Sequence, residues 1–251
     1  MSRNFAAVGQ LLYELCETPE LGVRELNRRL GISLGMTQRI VASLVETGLV
    51  DCNPKTKQYA LGPGVIRLSA AMKQRQSTLF RSASEALERL AQETSETACL
   101  HGIVDNVRVI LAQAEGPHDL SWRGKIGAAY PVHAGAAAKA ILAFLPEKDL
   151  ARVLKGARLT KLRAGTPSTE AELRNDLEEV KRHGFSVTFG EREEGAGGVA
   201  APILDETGYP MYSISVYGPE GRIRPRVASL KRLVRETASR LSLQPIGKDD
   251  R

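Results

Sequence analysis

Ser33, Gly35, Thr37, Gln38 and Arg39 crowd into one short stretch, and two further cations, Lys55 and Lys57, follow soon after. A glutamine amide can pair with both edge atoms of adenine, and an arginine fork with guanine or a phosphate. Each good base pairing is worth about 1–3 kcal/mol of discrimination. Between these polar positions Met36, Ile40 and Leu44 recur every four residues, which predicts a helix with that stripe turned inward. Gly35, Thr37, Gln38, Arg39 and Ala42 are then left for the outward side or its margin. A helix about 10–12 Å across fits a DNA major groove about 12 Å wide, so the chemistry on offer is the reading of base edges. Ser33 is placed as the helix cap, where free amides can also take a phosphate; Arg24, Lys55 and Lys57 can hold the DNA backbone.

Other chemistries fit poorly. Gly31-Ile32-Ser33-Leu34-Gly35 formally matches G-x-S-x-G, but a nucleophile elbow needs a strand before its serine, and here a helical run precedes it. Gly195, Gly197 and Gly198 lack G-x-G-x-x-G spacing and stand before a strand-like run, which argues against a dinucleotide or phosphate loop. His101, His118, His133 and His183 show no metal-ligand spacing. Cys16, Cys52 and Cys99 lie far apart with no CxxC, so no metal, cofactor or disulfide framework is expected.

The elements that must position these residues are legible from periodicity. Val8, Leu11, Leu12 and Leu15 mark a helix ending near Thr18-Pro19, and Val23, Leu26 and Leu30 a second one closed by Gly31. The third follows Ser33 and stops at Gly48. Strand-like runs 49–52 and 58–61 flank a turn carrying the two lysines, so the first 62 residues predict a winged helix-turn-helix. Val65, Leu68 and Met72 predict a linker helix over 63–78. From 79 to 251 the pattern is a helix at Ala83 to Ala91, a hairpin about Asp105-Asn106, helices over 136–145, 146–154 and from the Thr169/Glu172 capping box to Gly184, strands at 185–189, 199–204 and 211–216, and a closing helix over 227–243. Strands in short-turn pairs with helices in runs predict an α+β fold with an antiparallel sheet flanked by helices.

A chain of 251 residues, 42% hydrophobic and 25% charged, has room for two such domains; aromatics are only 5%, so the core must be aliphatic. No window approaches the roughly 18 uninterrupted apolar residues of a membrane span, and the start lacks a signal peptide's apolar stretch, which predicts no membrane association and a cytoplasmic location. The net charge is +6. Residues 1–76 hold 10 basic and 6 acidic side chains, against 25 and 23 in the remainder, so the excess is densest where DNA would be met.

The chain as a whole resembles the IclR-type transcription regulators. The matching words are Gly127 with Pro131-Val132-His133-Ala134, Ala136 with Lys139 to Ala143, Gly184-Phe185 with Glu191 and Gly195, Val199 to Ile203, Gly208, and Ser215 to Pro219. Met36-Thr37-Gln38-Arg39 occupies the family's recognition-helix segment; Arg39 matches, and the other three depart. The resemblance implies a GAF-like second domain that binds a small metabolite, often a carboxylate or aromatic acid, and a homodimer or homotetramer on double-stranded operator DNA. Carried over by position, the effector-binding candidates are Leu120, Arg123, Ala137, Ala138, Thr188, Gly198, Ser215 and Tyr217. Ala136 to Ala138 also open a helix whose amides favour an anion. Arg123 is expected to offer a fork to the carboxylate, with its strand neighbour Trp122 turned away. Gly198 is expected to leave room for a ring beside Tyr217.

The function expected is therefore that of a sequence-specific, DNA-binding regulator, repressor or activator, controlled by a small organic acid. It is not expected to be an enzyme, since the second domain offers no nucleophile with its base. The alternative is a ligand-sensing protein, or an enzyme acting on a small acid, with the winged helix as an appendage.

Overall fold

In a computed structural model, residues 3–242 are described apart from 76, 105 and 120. The chain divides into two compact units, Met1–Arg75 and Gln76–Arg251.

The first unit contains α1 (Arg3–Glu17), β1 (Leu21–Gly22), α2 (Val23–Leu30), α3 (Leu34–Glu46), β2 (Val50–Cys52), β3 (Gln58–Leu61) and α4 (Gly64–Arg75). Ala7, Leu11 and Leu15 on one stripe of α1 meet Leu26, Ile40, Val41, Leu44 and Val50 in a shared core. Burying each of the larger side chains contributes about 1.5–3 kcal/mol. Between α2 and α3 the chain turns at Gly31, whose φ of 62° closes the first helix, and restarts at Ser33, whose side chain accepts from the Met36 amide. The small sheet has the order β1-β3-β2. Its first strand was not expected from sequence: two residues, Leu21 and Gly22, are too short for any alternation to show, and they pair with Tyr59 and Gln58.

The expected linker helix over 63–78 ends as α4 at Arg75, and Ser77 and Thr78 belong to the next helix. The start of α4 is tied to the turn after α3, because the Gly64 amide donates to the Gly48 carbonyl at 2.9 Å. A Cβ at Gly62 or Gly64 would drive into that same carbonyl, so both positions require glycine. Along α4, Ile66, Leu68 and Met72 are exposed.

The second unit contains α5 (Ser77–Thr94), β4 (Thr97–Val104), β5 (Val107–Ala114), β6 (Ala129–Pro131), α6 (Ala136–Leu142), α7 (Glu147–Gly156), α8 (Glu170–His183), β7 (Ser186–Phe189), β8 (Ala196–Leu204), β9 (Pro210–Pro219), α9 (Glu220–Ile223) and α10 (Val227–Ser242). Its six strands run β6-β5-β4-β9-β8-β7, every neighbouring pair antiparallel. The fold is thus α+β, as the pattern predicts. α5 and α10 cover one face, where Leu87, Leu90, Leu230 and Val234 pack on Leu100, Ile203, Ile214 and Val216. α6 lies on the other face, its Ala136, Ala137 and Ala140 packed on Ala200 and Tyr217. Three alanines let the helix sit close to the sheet. α7 and α8 close over α6 through Leu150, Val153, Leu173 and Leu177. The Thr169/Glu172 capping box forms in full, and Gly184, at φ 75°, ends α8.

Two details differ from expectation. β6 is an added edge strand, and the described residues among 115–128 form no strand, so Trp122 and Arg123 lie in irregular chain. A bulge at Leu111 of β5 shifts the register against β4 between Leu100 and His101 and sets His101 opposite Ile110. Among the described residues no helix is long and apolar enough to cross a membrane.

Candidate functional site

In the first unit, Gly35, Gln38, Arg39 and Ala42 are exposed at spacings of three and four, so α3 presents them on one face. Gly35 has open space where a Cβ would stand, which leaves the backbone approachable. Arg24 on α2 is exposed, while Arg28 and Arg29 grip Glu25, at 2.8 Å from each Nε, and hold its carboxyl down at about 2. Lys55 and Lys57 are exposed at the wing tip, where the Asn53 side chain accepts from the amides of Lys55 and Thr56. Thr37 departs from its expected place. It is buried, its hydroxyl donates to the Ser33 carbonyl at 3.2 Å, and Asn27 donates to that hydroxyl at 3.4 Å. Thr37 therefore locks α2 to α3 rather than facing outward, because one face of the helix already carries Gly35, Gln38 and Arg39. Ser33 likewise spends its side chain on the Met36 amide.

In the second unit, alternate residues of β9 point to the side opposite α5 and α10: Ser213, Ser215 and Tyr217. Ser213 donates to the Ala137 carbonyl at 2.8 Å, and the Tyr217 hydroxyl accepts from the Ala137 amide at 3.2 Å. Ser215 Oγ meets His101 Nε2 at 2.8 Å, and His101 Nδ1 meets Arg108 Nη1 at 2.9 Å. Burial first, and then the charges of Arg108 and Arg192, push the His101 imidazole well below its usual range. It is neutral, and because Arg108 can only donate, Nδ1 accepts and Nε2 carries the proton toward Ser215. Beneath this group the Cys99 thiol is buried and pushed up to about 12 by desolvation.

These side chains border a cavity lined by Arg108, Trp122, Thr188, Gly198 and Tyr217 and roofed by the 190–193 turn. Its free volume is about 20 Å³, room for one water. Trp122 lies 5.2 Å from the Tyr217 ring and donates from Nε1 to Glu193 at 3.1 Å. The Arg192 guanidinium stacks over Tyr130 at 4.3 Å and Trp122 at 5.0 Å. Glu191 braces the roof: one carboxylate oxygen accepts the Gly135 amide at 2.8 Å, the other meets buried Lys139 at 2.5 Å, and Lys139 also reaches Asp176 at 2.7 Å.

Of the effector candidates, Thr188, Gly198 and Tyr217 line the cavity, with Ser215 next to it through His101. Ala136 and Ala137 pack against Tyr217, and Ala138 turns toward the α7–α8 core instead. Leu120 lies outside the described residues. The Arg123 and Trp122 expectation is reversed. Arg123 points outward and pairs with Glu115 at 3.1 Å, while Trp122 faces the cavity, since without a strand no alternation fixes which one turns in. Nor does Gly198 leave space for a ligand ring: the Tyr217 ring fills it. Of the three α6 amides expected to attract an anion, that of Ala137 is bonded to the Tyr217 hydroxyl, and the Gly135 amide just before them to Glu191.

Arg108, His101 and Arg192 were missed. Both alternations of Val107 to Ala114 are apolar apart from Arg108 and Gln113, so the pattern does not say which face Arg108 takes. The available signal was an arginine inside a strand that otherwise reads as core.

The family model for the bacterial transcriptional regulator IclR C-terminal region matches residues 72–243. Over 223 residues the chain is 30% identical to the HTH-type transcriptional regulator BhcR of Paracoccus denitrificans, covering 88% of this chain and 80% of that one. A crystal structure of an IclR transcriptional regulator from Alicyclobacillus acidocaldarius has a TM-score of 0.80 at 24% identity, over 96% of this chain and 98% of that one. An IclR homologue from Microbacterium hydrocarbonoxydans, solved in complex with 4-hydroxybenzoate, has a TM-score of 0.72 at 22% identity, over 94% of this chain and 97% of that one. The two solved structures share the fold.

Proposed function

Since the chain belongs to the IclR family of bacterial transcription regulators, we propose that its second unit holds a small organic acid and that this acid sets how a pair of chains occupies an operator. The protein is a DNA-binding regulator and not an enzyme. Residues 1–62 read DNA, α4 joins the units, and 79–251 bind the effector.

The observation that carries the effector reading is the walled cavity beside the start of α6, bordered by Arg108, Thr188 and Tyr217 with an aromatic side at Trp122. The Microbacterium relative's complex with an aromatic acid supports it. Gln38 and Arg39 read base edges, with Gly35 close to the groove wall, and Arg24, Ser33, Lys55 and Lys57 hold phosphates. Pairing of two chains uses the exposed stripe of Leu68 and Met72 on α4, and reading a palindrome requires such a pair. Because α4 is tied to the turn after α3 at Gly48, a change in the direction of α4 carries the reading helix with it. The acid then acts by population shift between two spacings of the paired α3 helices.

The test is fluorescence anisotropy on duplex DNA from upstream of the protein's own coding sequence. Binding that falls steeply with salt and changes on adding a small carboxylic acid supports the reading. Binding indifferent to every acid, or turnover of the acid by pure protein, overturns it.

A further inference from the structure

Arg108 is 2% exposed, and no carboxylate among the described residues forms an ion pair with it. One of its nitrogens meets a neutral imidazole, and its Nε is buried without any partner. A buried guanidinium that no anion answers is costly, far more so than the exposed and paired arginines elsewhere in the chain. It stands on the cavity wall, whereas at the start of α6 the Gly135 and Ala137 amides are already bonded to Glu191 and Tyr217.

Resting on the reading of this cavity as the effector site, we propose that Arg108 is the anchor for the effector's carboxylate, and that the effector is a flat aromatic acid. The ring class follows from the walls. Tyr130 lies under Arg108 at 4.6 Å, and Tyr217 and Trp122 stack at 5.2 Å, so the space around the guanidinium is bounded by π faces. Their edges and faces suit another ring better than a hydrated chain. Present free volume holds one water, so a ring enters only when a wall moves. Trp122 is the side chain that can move: it stands on irregular chain outside any strand and is half-buried, with its carbonyl held by the Thr97 hydroxyl at 2.5 Å and its ring set against Glu193, Arg192, Tyr217 and the alanines of α6. Binding of the acid on Arg108 thus displaces the Trp122 ring, which breaks its bond to Glu193 in the roof.

Trp122 is the chain's one tryptophan, so its emission reports this event directly. The full-length protein is titrated with benzoate, 4-hydroxybenzoate, neutral benzamide and pyruvate, reading Trp122 emission and the thermal shift. A saturable emission change is expected with the aromatic acids, with benzamide and pyruvate each binding at least about tenfold more weakly. Arg108→Gln, with folding checked by circular dichroism, is expected to weaken benzoate binding by about 10- to 100-fold, the loss of one charge-assisted hydrogen bond. It should leave benzamide binding nearly unchanged, so that the preference for the acid vanishes. Should Arg108→Gln fail to fold, the comparison of benzoate with benzamide on the unaltered chain decides. Acids that bind no better than benzamide, or that bind Arg108→Gln as well as the parent, overturn the role of Arg108 while the effector reading stands. Pyruvate binding ahead of benzoate overturns the aromatic class. If none of the acids changes emission or melting, the effector reading itself fails, and this proposal with it.

Discussion

The ring of Tyr217 lies across Gly198, its register partner on the neighbouring strand, at a distance that leaves no space for a Cβ. The pairing places the phenol hydroxyl on the Ala137 amide and so fixes the first turn of α6 against the sheet.

Gly198→Ala is expected to push the ring off its seat and cost about 1–3 kcal/mol, as overpacking does. In a Tyr217→Ala background the same substitution should cost much less. Urea unfolding of the four proteins gives the coupling, and equal penalties in both backgrounds would show that the two residues do not press on each other.

Two neighbours on α3 should separate cleanly. Thr37→Val is expected to lower stability by about 1 kcal/mol through the lost bonds to Ser33 and Asn27, with little change in base preference. Arg39→Ala is expected to keep the melting temperature and to weaken operator binding by about 1–3 kcal/mol. Thermal melts beside anisotropy titrations check both; a stable Thr37→Val protein with altered base preference would return Thr37 to the DNA side.

His101 is neutral in the fold because burial and the nearby Arg108 and Arg192 oppose its charge, so its folded pKa lies below the unfolded value. The unfolded chain therefore binds the extra proton first, and stability rises with pH through that window. Stability should therefore be lower at pH 5.5 than at pH 7.5 through this group, since the unfolded imidazole takes up its proton at about pH 6.5 while the folded one resists it. The drop should shrink in His101→Asn. Unfolding midpoints at the two pH values measure it, and an identical drop in both proteins would assign the acid sensitivity to other groups.

Thr169→Ala should cost about 1 kcal/mol, because the side chain accepts from the Glu172 amide and holds the box that starts α8. Glu172 sits below its ordinary carboxylate range through the amides of Ser168 and Thr169. Its contribution is therefore present above the unfolded carboxylate pKa and is lost as pH falls through the lowered one. Melts of the variant and parent at neutral and acid pH check both statements.

Much of this was legible in the chain itself, wherever a local rule settles the outcome. The stripe of Ile40 and Leu44, the cap at Ser33, the stop at Gly31 and the Thr169/Glu172 box are short-range facts, and each formed at its expected position. The cavity was harder because its walls come from β5, β7, β8, β9 and three loop segments, at Trp122, at Ala134-Gly135 and at the 190–193 turn. Which of Trp122 and Arg123 turns inward depends on a strand that does not exist. His101 reaches Arg108 across two neighbouring strands, with a bulge beside it, and nothing in either strand's own sequence announces the pairing. Thr37 was misplaced for a subtler reason. Its partner Asn27 sits on another helix, and a threonine on a helix margin looks the same in sequence whether it meets solvent or a neighbour.

The three cysteines end up in very different surroundings. Cys16 and Cys52 belong to the first unit, one exposed and one half-buried, whereas Cys99 is buried in the second with its thiol raised to about 12. Alkylating dyes and spin labels consume the thiolate, so in the folded protein they should decorate the first unit and leave Cys99 untouched, with Cys16 slowed because partial burial and Glu17 raise its thiol. Distance measurements between two labelled first units therefore need only one of Cys16 and Cys52 replaced, while Cys99 can stay.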